Sequence, residues 1–405
     1  MAAYGMPGGT YLSPQQQAAQ IQRCFQDSSS WKYEKLLGAG GFGVALLLSQ
    51  RGGDGTPLRI AMKIAQFGLD EDLKKEILWL RRFHGAKHIV KILAHADDLN
   101  NPSQKPRPVE AGTAPFAEAL DVLGGLKGPA AIIEYLENGD LEDVFERVQR
   151  AAANVPNRFL WSLYLCMIRA CIGMEYPMNK PYGAEATLET LPTESEPPSD
   201  MWHHDLFARN VMVTGADADP EHGMGKMFKL IDFGLVKREL TEPGKAHARN
   251  LFDVSRMIAR LIVRGPIPFI HLTYNNSMTL GGQMVNANRD YPWLDRDLSD
   301  LLVRCMYSDW KRRPSLAVAL QTANNALMNK TPADYPDPAA ESDDAIRAFI
   351  QTYIDNVPVT RPIAVPAPPT APGTGGGPAP GGDGGSGRET PRSQRSSSNN
   401  IVRMN

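Results

Sequence analysis

The sequence contains little cysteine, with four residues among 405, namely Cys24, Cys166, Cys171 and Cys305. Thiols so few and so widely spaced exclude a disulfide framework and a zinc cluster built from cysteines. Cys166 and Cys171 lie in an apolar stretch of helical period, which favours ordinary buried thiols. We therefore expect a protein of a reducing compartment.

Long apolar runs and an excess of charge are also missing. No run reaches the ~18 residues of a membrane-spanning helix. The N-terminal residues show no basic start followed by an apolar core, the signature of a secretory signal. A net charge of −2 gives no bulk attraction for nucleic acid or an anionic membrane. We expect an intracellular protein, cytoplasmic or nuclear, with no membrane span and no nucleic-acid partner; the sequence leaves its oligomeric state open.

The remaining composition is ordinary for a globular protein, except at the C-terminal end. Hydrophobic residues make up 42% of the chain and charged residues 22%. The length permits a large core in two or three domains. The stretch 358–405 is instead rich in proline, glycine and serine. Such a composition cannot build a core, so we predict a disordered tail there.

Two short motifs carry the strongest functional signal. Residues 201–213 read Met-Trp-His-His-Asp-Leu-Phe-Ala-Arg-Asn-Val-Met-Val and place Asp205 five residues before Asn210. The second motif, Asp232-Phe233-Gly234, ends an apolar run. One carboxylate can take or orient the proton of an attacking hydroxyl, while amide and carboxylate oxygens are suitable ligands for magnesium. The motifs therefore indicate a site for phosphate and Mg²⁺.

These motifs resemble those of the protein kinases, whose catalytic loop reads His-Arg-Asp-Leu, four more residues and Asn, and whose metal loop reads Asp-Phe-Gly. His204 stands where the family usually has arginine. The resemblance implies an α+β, bilobal fold with a small β-rich N-lobe and a larger helical C-lobe, which binds ATP and Mg²⁺. It also implies that Asp205 orients the attacking hydroxyl and that Asn210 and Asp232 hold the metal.

A glycine-rich stretch at residues 38–43, reading Gly-Ala-Gly-Gly-Phe-Gly, precedes these motifs. It joins two predicted strands instead of opening a helix, which disfavours a dinucleotide-binding Rossmann fold. A glycine hairpin lets backbone N–H groups approach phosphate oxygens without an intervening side chain. The kinase pattern usually has a valine two residues later, whereas this chain has Ala45, so we expect a roomier adenine pocket.

Lys63 lies in the third predicted strand, at residues 58–65, and is a candidate phosphate ligand. A lysine is more often a solvated residue at a strand edge, but its neighbours at 60–62 and 64 are apolar. The resemblance assigns Lys63 to the α- and β-phosphates of ATP, with Glu76 on the helical stretch 70–83 as its acidic partner. The alternative for Glu76 is a surface pair with Lys75 or Arg81.

Glu134, Tyr135 and Leu136 follow the fifth predicted strand and resemble the kinase hinge, whose backbone reads the adenine edge. Asp140 takes the position of a ribose-binding acid; it could equally be the N-cap of the next helix, or serve as both. The resemblance thus implies three catalytic residues, Asp205, Lys63 and Glu76, and the following nucleotide contacts: Gly38, Ala39, Gly40, Gly43, Ala45, Ala61, Lys63, Glu134, Leu136, Asp140 and Met212.

The chain departs from the kinase pattern after Gly234. Only 18 residues separate Gly234 from Asp253, which the resemblance assigns to a buried helix that braces the catalytic-loop backbone. The usual Ala-Pro-Glu motif does not occur in this interval. Arg313, in a late Arg-Pro dipeptide, would normally pair with the glutamate of that motif. We expect Arg313 to be idle or paired elsewhere.

The domain organisation follows from these assignments. We predict an N-terminal extension at 1–30, a kinase N-lobe at 31–136, a C-lobe at 137–335, a C-terminal helical region at 336–357 and the tail at 358–405. Stretches 97–128 and 177–200 are long for kinase connections and are interpreted as insertions. The second of these is acidic and is expected to be a solvated loop.

Three functions are compatible with the sequence: an active protein kinase, a small-molecule kinase, and a pseudokinase that binds ATP and scaffolds partners. The complete set of phosphate and metal residues weighs against the pseudokinase. The Arg313-Pro314 dipeptide and the late helices favour the protein kinase over the small-molecule kinase. We therefore expect ATP-dependent phosphoryl transfer to a protein hydroxyl. Phe207 and Arg209 leave the choice between Ser/Thr and Tyr substrates open.

Overall fold

The computed structural model describes residues 12–40, 43–52, 57–66, 68–100, 107–108, 114–178, 180, 184–193, 196–215, 220–222 and 226–355. Gly41, Phe42 and the tail predicted at 358–405 lie outside the described residues. The described part combines helices with a β-sheet, which confirms the α+β class. Within these residues, no helix is both long enough and apolar enough to cross a membrane.

Six strands form one antiparallel sheet. They are β1 (Trp31–Gly40), β2 (Gly43–Gln50), β3 (Arg59–Ile64), β4 (Ile92–Ala96), β5 (Arg107–Pro108) and β6 (Ala130–Glu134), and their order is β1-β2-β3-β6-β4-β5. β2 and β3 pair as an antiparallel hairpin. Its register places Lys63 of β3 opposite Ala45 of β2, and on the other side β3 pairs Lys63 with Ala131 of β6. Lys63 therefore lies on a central strand with small neighbours on both sides.

The described helices are α1 (Pro14–Cys24), α2 (Asp70–Arg82), α3 (Ala114–Asp121), α4 (Leu141–Ala151), α5 (Asn157–Glu175), α6 (Lys245–Val263), α7 (Gly282–Val285), α8 (Ala287–Asp290), α9 (Arg296–Cys305), α10 (Leu316–Asn329) and α11 (Asp343–Tyr353). The first begins at Ser13-Pro14, a combination of cap residue and first-turn proline that favours a helix start, and Ser13 and Gln16 form a capping box. Every residue of α5 except Arg158 is buried, as expected for a central helix with apolar residues all around.

Three short strand pairs complete the architecture: β7 (Met201–Trp202) with β10 (Lys237–Arg238), β8 (Val211–Val213) with β9 (Phe228–Leu230), and β11 (Leu272–Tyr274) with β12 (Ser277–Thr279). The apolar runs that follow Asn210 and precede Asp232 form the paired strands β8 and β9. Because these two strands pair, the residues that flank them are brought together.

The apolar side chains form two clusters. One lies between the sheet, α1 and α3, and includes Trp31, Leu46 and Ile132. The larger one extends from α2 through α5, α6, α9 and α10, and includes Phe233 and Tyr164. Side chains of the sheet's other face, such as Ala131, belong to the larger cluster. The sheet is therefore buried on both faces along much of its length.

The fourth strand begins later than the sequence indicates. The mostly apolar run at 89–94 favours a strand over its whole length, whereas β4 begins at Ile92. The reason is that the preceding residues pair with β9 instead of with the sheet. Val90 N donates to the carbonyl of Leu230 at 3.0 Å, and Leu230 N donates to the carbonyl of His88 at 2.9 Å.

The described residues of the stretch 177–200 form an irregular loop, as expected, but part of this loop is anchored to the protein instead of being solvated. Thr187 N donates to the carbonyl of Gly85 at 3.0 Å, and Lys87 N donates to the carbonyl of Thr187 at 3.2 Å. Glu189 is fully buried, and Leu191 packs against the larger core cluster. The acidic composition of this stretch gave no indication that the carboxylate of Glu189 is buried.

Candidate functional site

Lys63 and Glu76 form an ion pair between β3 and α2. The Lys63 side chain is 16% exposed and that of Glu76 only 5%. Glu76 lies on the buried face of α2 with Leu73, Ile77 and Leu80. The pairing of Lys63 with Glu76 that the resemblance implied is therefore observed. Burial alone would lower the pKa of Lys63, but the carboxylates of Glu76 and Asp232 raise it, so the lysine stays cationic.

Asp232 brings a third charge to this pair. Its Oδ1 lies 3.7 Å from Lys63 Nζ, and its side chain is 27% exposed. Asp232 follows β9 and has a positive φ of 62°, which is uncommon for a residue with a side chain. Such a conformation costs roughly 1–3 kcal/mol and tends to cluster at functional sites. The turn directs the carboxylate toward Lys63 instead of continuing the strand.

The loop from His203 to Asn210, here called the Asp205 loop, orients both oxygens of one carboxylate. Asn210 Nδ2 donates to the backbone carbonyl of Asp205 at 2.7 Å and to its Oδ2 at 2.8 Å. Arg209 donates to Oδ1 of the same side chain. Because the Asn210 amide nitrogen makes these bonds, its oxygen remains as the atom that could bind a metal.

The His203 ring holds the Asp205 loop in place through both of its nitrogen atoms. Its Nδ1 accepts a hydrogen bond from Asp205 N at 3.3 Å, so the ring proton is on Nε2, which lies 3.2 Å from the carbonyl of Ile231. The ring packs edge-on against Phe233, with centroids 5.1 Å apart. Burial lowers the pKa of His203, which keeps the ring neutral. His203 thus connects the two motifs through their backbones.

The brace from the buried helix comes from a different residue than expected. Asn250 of α6 accepts from His203 N at 3.1 Å and donates to the carbonyl of Met201 at 2.8 Å. Asp253, which we expected in this role, instead accepts from the indole N–H of Trp202 at 3.3 Å. Burial raises the pKa of Asp253 to about 6. An uncharged amide suits this position because it satisfies a donor and an acceptor without burying a charge.

The glycine-rich hairpin is formed by the ends of β1 and β2. Gly38 pairs with Ala45, Ala39 with Val44, and Gly40 with Gly43. A Cβ atom at Gly43 would lie 2.4 Å from the carbonyl oxygen of Ile64, so only glycine allows this approach of β2 to β3. A Cβ at Gly38 would meet nothing within 4 Å. Gly43 therefore has a packing role, whereas Gly38 faces open space.

The residues after β6 connect the sheet to the helical part. Ala61 of β3 is buried opposite Ile133, and Leu136 is buried beyond the strand end. The Glu134 side chain accepts from Lys91 N at 2.8 Å and pairs with Lys229 of β9 at 2.6 Å. Glu134 therefore links both parts through its side chain, a role the sequence did not reveal.

Asp140 begins α4 and lies beside β8. Its side chain accepts from Asp143 N at 2.9 Å, which confirms the predicted N-cap. Asp140 also forms an isolated bridge with Met212, and Val213 N donates to the carbonyl of Gly139 at 3.0 Å. The two candidate nucleotide contacts Asp140 and Met212 are thus adjacent.

The segment after Gly234 is short and held at both ends. Its first part forms β10, which pairs with β7. Glu239 N then donates to the carbonyl of Asp200 at 2.8 Å, and Gly244 N donates to Asp200 Oδ1 at 2.6 Å. Asp200, in a left-handed conformation with φ of 50°, anchors this segment from the residue before β7.

His204, which replaces the usual arginine, and Arg313, whose usual glutamate partner is missing, both have local partners. The His204 ring lies against Trp202. Burial, together with the nearby cations of Lys237 and Arg249, lowers the pKa of His204 to about 4. Arg313 is not idle, because its guanidinium donates to the carbonyls of Tyr307 and Ala248 at 2.8 and 2.9 Å.

No protein-family model matches this chain, and no curated protein sequence matches it. The functional conclusion therefore depends on the geometry of the site. Lys63 contacts Glu76 and Asp232 within 3.7 Å, and Asn210 contacts Asp205. His203 and the hydrogen bond from Ile231 N to the carbonyl of Asn210 connect these two groups through the backbone. Sequence reasoning missed Asn250, although it lies three residues before Asp253 and hence on the same face of the helix.

Proposed function

We propose that this chain has a bilobal, protein-kinase-like fold and transfers the γ-phosphoryl group of ATP to a hydroxyl group of a protein. The observation that carries the proposal is the convergence of Lys63, Glu76 and Asp232 from β3, α2 and the turn after β9. A lysine fixed by a buried glutamate beside a second carboxylate is the arrangement that holds nucleotide phosphates and metal in kinases.

In this proposal, the two lobes would be two parts of the described structure. The sheet of β1–β6 with α2 would be the N-lobe, and the helices from α4 onward would be the C-lobe. Residues 135–139 would form the hinge. The ion pair of Glu134 with Lys229 crosses between the parts at the hinge and supports their mutual orientation.

The donor set fits ATP and Mg²⁺. Asp232 offers a partly exposed carboxylate and Asn210 an amide oxygen, and oxygen ligands of this kind suit Mg²⁺. Lys63 remains cationic and would hold the α- and β-phosphates, with Gly38 leaving room at the hairpin. Bound Mg²⁺ would neutralise negative charge on the transferred phosphate.

Asp205 would orient the attacking hydroxyl and accept its proton. Arg209 and Asn210 bind its two oxygens, so the carboxylate cannot rotate freely. A carboxylate held in this way acts as a positioned base, because the geometry is set before the substrate arrives. Phe207, next to Asp205, is 45% exposed and is stacked by Arg209.

Apolar side chains near the Asp205 loop support a protein substrate. Leu235 and Leu240 are 39% and 80% exposed on the segment that β10 joins to β7. Together with Phe207 they offer contact surface that a short metabolite would not cover. A polypeptide laid along this segment would bury it.

The test is ATP turnover by the purified chain against a peptide library, in parallel with a panel of hydroxylated metabolites. The proposal requires Mg-dependent phosphate transfer to peptides. Transfer to a metabolite alone would establish a small-molecule kinase instead. ATP binding without any turnover would establish a pseudokinase.

A further inference from the structure

Three buried metal-binding side chains meet away from the nucleotide residues. They are His88, before β4, Cys166, in the middle of α5, and His222, in a short 3₁₀ turn at 220–222. One ligand atom of each lies within 4.8 Å of the other two. The two imidazole Nε2 atoms are 3.0 Å apart. The cluster therefore draws on three distant segments of the chain.

A buried carboxylate orients the first histidine. Glu189 Oε2 lies 2.7 Å from His88 Nδ1, and its Oε1 accepts from His88 N, also at 2.7 Å. This leaves His88 Nε2 directed at Cys166 and His222. A carboxylate on the far nitrogen is the usual outer partner of a metal-bound histidine, since it fixes the tautomer and raises ligand basicity.

A buried arginine holds the surrounding segments in place. Arg169, one turn after Cys166 on α5, donates to the backbone carbonyl of Glu189 and pairs with the Glu221 carboxylate. Glu221 directly precedes His222. The positions of Glu189 and His222 are thus both fixed relative to α5, which pre-organises the cluster.

We propose that His88, Cys166 and His222 bind a structural Zn²⁺ ion that fastens the 220–222 turn to α5 and to the residues before β4. Two imidazoles and one thiolate are the nitrogen and sulfur ligands that Zn²⁺ prefers. Zn–N bonds of ~2.0–2.1 Å place tetrahedral nitrogens ~3.3 Å apart, close to the observed 3.0 Å. Water would supply the fourth ligand.

The location explains what such an ion would do. The residues at 220–222 lie in the connection between β8 and β9, and Leu230 of β9 pairs with the backbone beside His88. A metal here would cross-link this connection, α5 and the start of β4. Because Asn210 directly precedes β8 and Asp232 follows β9, the ion would stabilise elements next to the site without contacting a substrate.

The primary experiment is metal analysis of the full-length chain. The protein is expressed with added zinc, purified without chelators and measured by plasma mass spectrometry. We expect stoichiometric zinc in the wild type, loss of zinc in Cys166→Ala, and retention in Cys171→Ala. Cys171 is the matched control because it is a buried thiol five residues later in the same helix.

Cobalt spectroscopy decides the question even if Cys166→Ala fails to fold. Co²⁺ substituted into the wild type should give a thiolate charge-transfer band in the near ultraviolet, because Cys166 would be a ligand. Glu189→Gln should keep the band but weaken zinc affinity by roughly 10–100-fold, the usual effect of losing such an outer partner. Zinc-free wild-type protein that also gives no cobalt–thiolate band would overturn the proposal and leave a hydrogen-bonded cluster around Glu189.

Discussion

The side-chain amide of Asn210 donates to both the backbone carbonyl and the Oδ2 atom of Asp205, at 2.7 and 2.8 Å. A five-residue spacing in the sequence thus becomes a closed loop in which one residue orients the other. Because the amide nitrogen makes both of these hydrogen bonds, the side-chain oxygen of Asn210 is the atom that could bind a metal. The proposed base and the proposed metal ligand are therefore coupled through a single amide group.

The role of Asp205 can be separated from nucleotide binding. Asp205→Asn should leave ATP affinity nearly unchanged and lower turnover by roughly 10²–10⁴-fold, the usual range for a positioned base. Binding is measured by calorimetry and turnover by peptide phosphorylation. Asp309→Asn, which changes a helix-capping aspartate at 309–312, serves as the charge-matched control. Unchanged turnover in Asp205→Asn would mean that Asp205 only stabilises the loop.

The proposed role of Asp232 is to bind Mg²⁺. Asp232→Asn should weaken Mg-dependent nucleotide binding, because a full negative charge is removed from the ligand set. The measurement is ATP affinity with Mg²⁺ and with excess EDTA. The difference between the two conditions should shrink in the variant. Equal Mg-ATP affinity in variant and wild type would contradict the metal assignment.

Asn250 should matter for stability. Asn250→Ala removes a buried donor and a buried acceptor and leaves the His203 N–H and the Met201 carbonyl unsatisfied. We expect a loss of ~1–3 kcal/mol in the free energy of unfolding, measured by urea denaturation. Asn250→Asp keeps the acceptor for His203 N but loses the donor to Met201 and introduces a buried charge, so it should also destabilise the protein. A free energy of unfolding equal to that of the wild type in both variants would exclude the brace described here.

The sequence predicted the residues of the site better than the contacts that support them. Lys63, Asp205 and Asp232 could be located because short motifs with fixed spacing mark them. Asn250, Glu189 and Lys229 could not, because the partners described above lie 47 to 101 residues away and only the folded chain brings them together. An isolated polar residue gives no signal of its eventual partner.

The helices and strands differ in the same way: those marked by local sequence signals could be predicted, and those determined by tertiary packing could not. The β2–β3 hairpin, α2 and the capped α1 follow from turn chemistry, apolar period and a Ser-Pro start, all of which are local. The short elements between 272 and 290, namely β11, β12, α7 and α8, were not predicted. Each is too short for a period to emerge, and tertiary packing determines it.

The protonation of His204 predicts how stability changes with pH. Its pKa of about 4 in the folded protein lies below the ~6.5 of an unfolded histidine. The unfolded chain therefore binds more protons between these values, and this contribution to stability is present above pH ~6.5 and lost as the pH falls toward 4. His204→Asn should flatten the loss, because asparagine tolerates the left-handed φ of 66° and does not titrate.

The measurement for His204 is urea denaturation of both proteins at a series of pH values. Only the difference between the two curves is attributed to His204, since Asp253 and other groups titrate in the same range in both proteins. A constant difference across pH 4–7 would show that His204 does not titrate with a depressed pKa.

The segment after Gly234 should not require phosphorylation. In many protein kinases an arginine before the catalytic aspartate binds a phosphate on this segment through charge-assisted hydrogen bonds. His204 occupies that position, and with a pKa of about 4 it is neutral at pH 7 and cannot form a bidentate contact. The loop already has an anion in Glu239, which lies 3.4 Å from Arg249 and accepts from Thr241 Oγ1 at 2.6 Å.

Thr241 is the one hydroxyl residue between Gly234 and Asp253. A phosphate on Thr241 would place a second negative group beside Glu239 instead of ordering the segment, so we expect activity not to depend on phosphorylation here. The test compares protein from a kinase-free host before and after phosphatase treatment, alongside Thr241→Ala and Thr241→Val. All four preparations should have similar turnover. If activity instead required phosphate on Thr241, the Glu239–Arg249 pair could not be the feature that orders this segment, and Arg249 would have to bind the phosphate in its place.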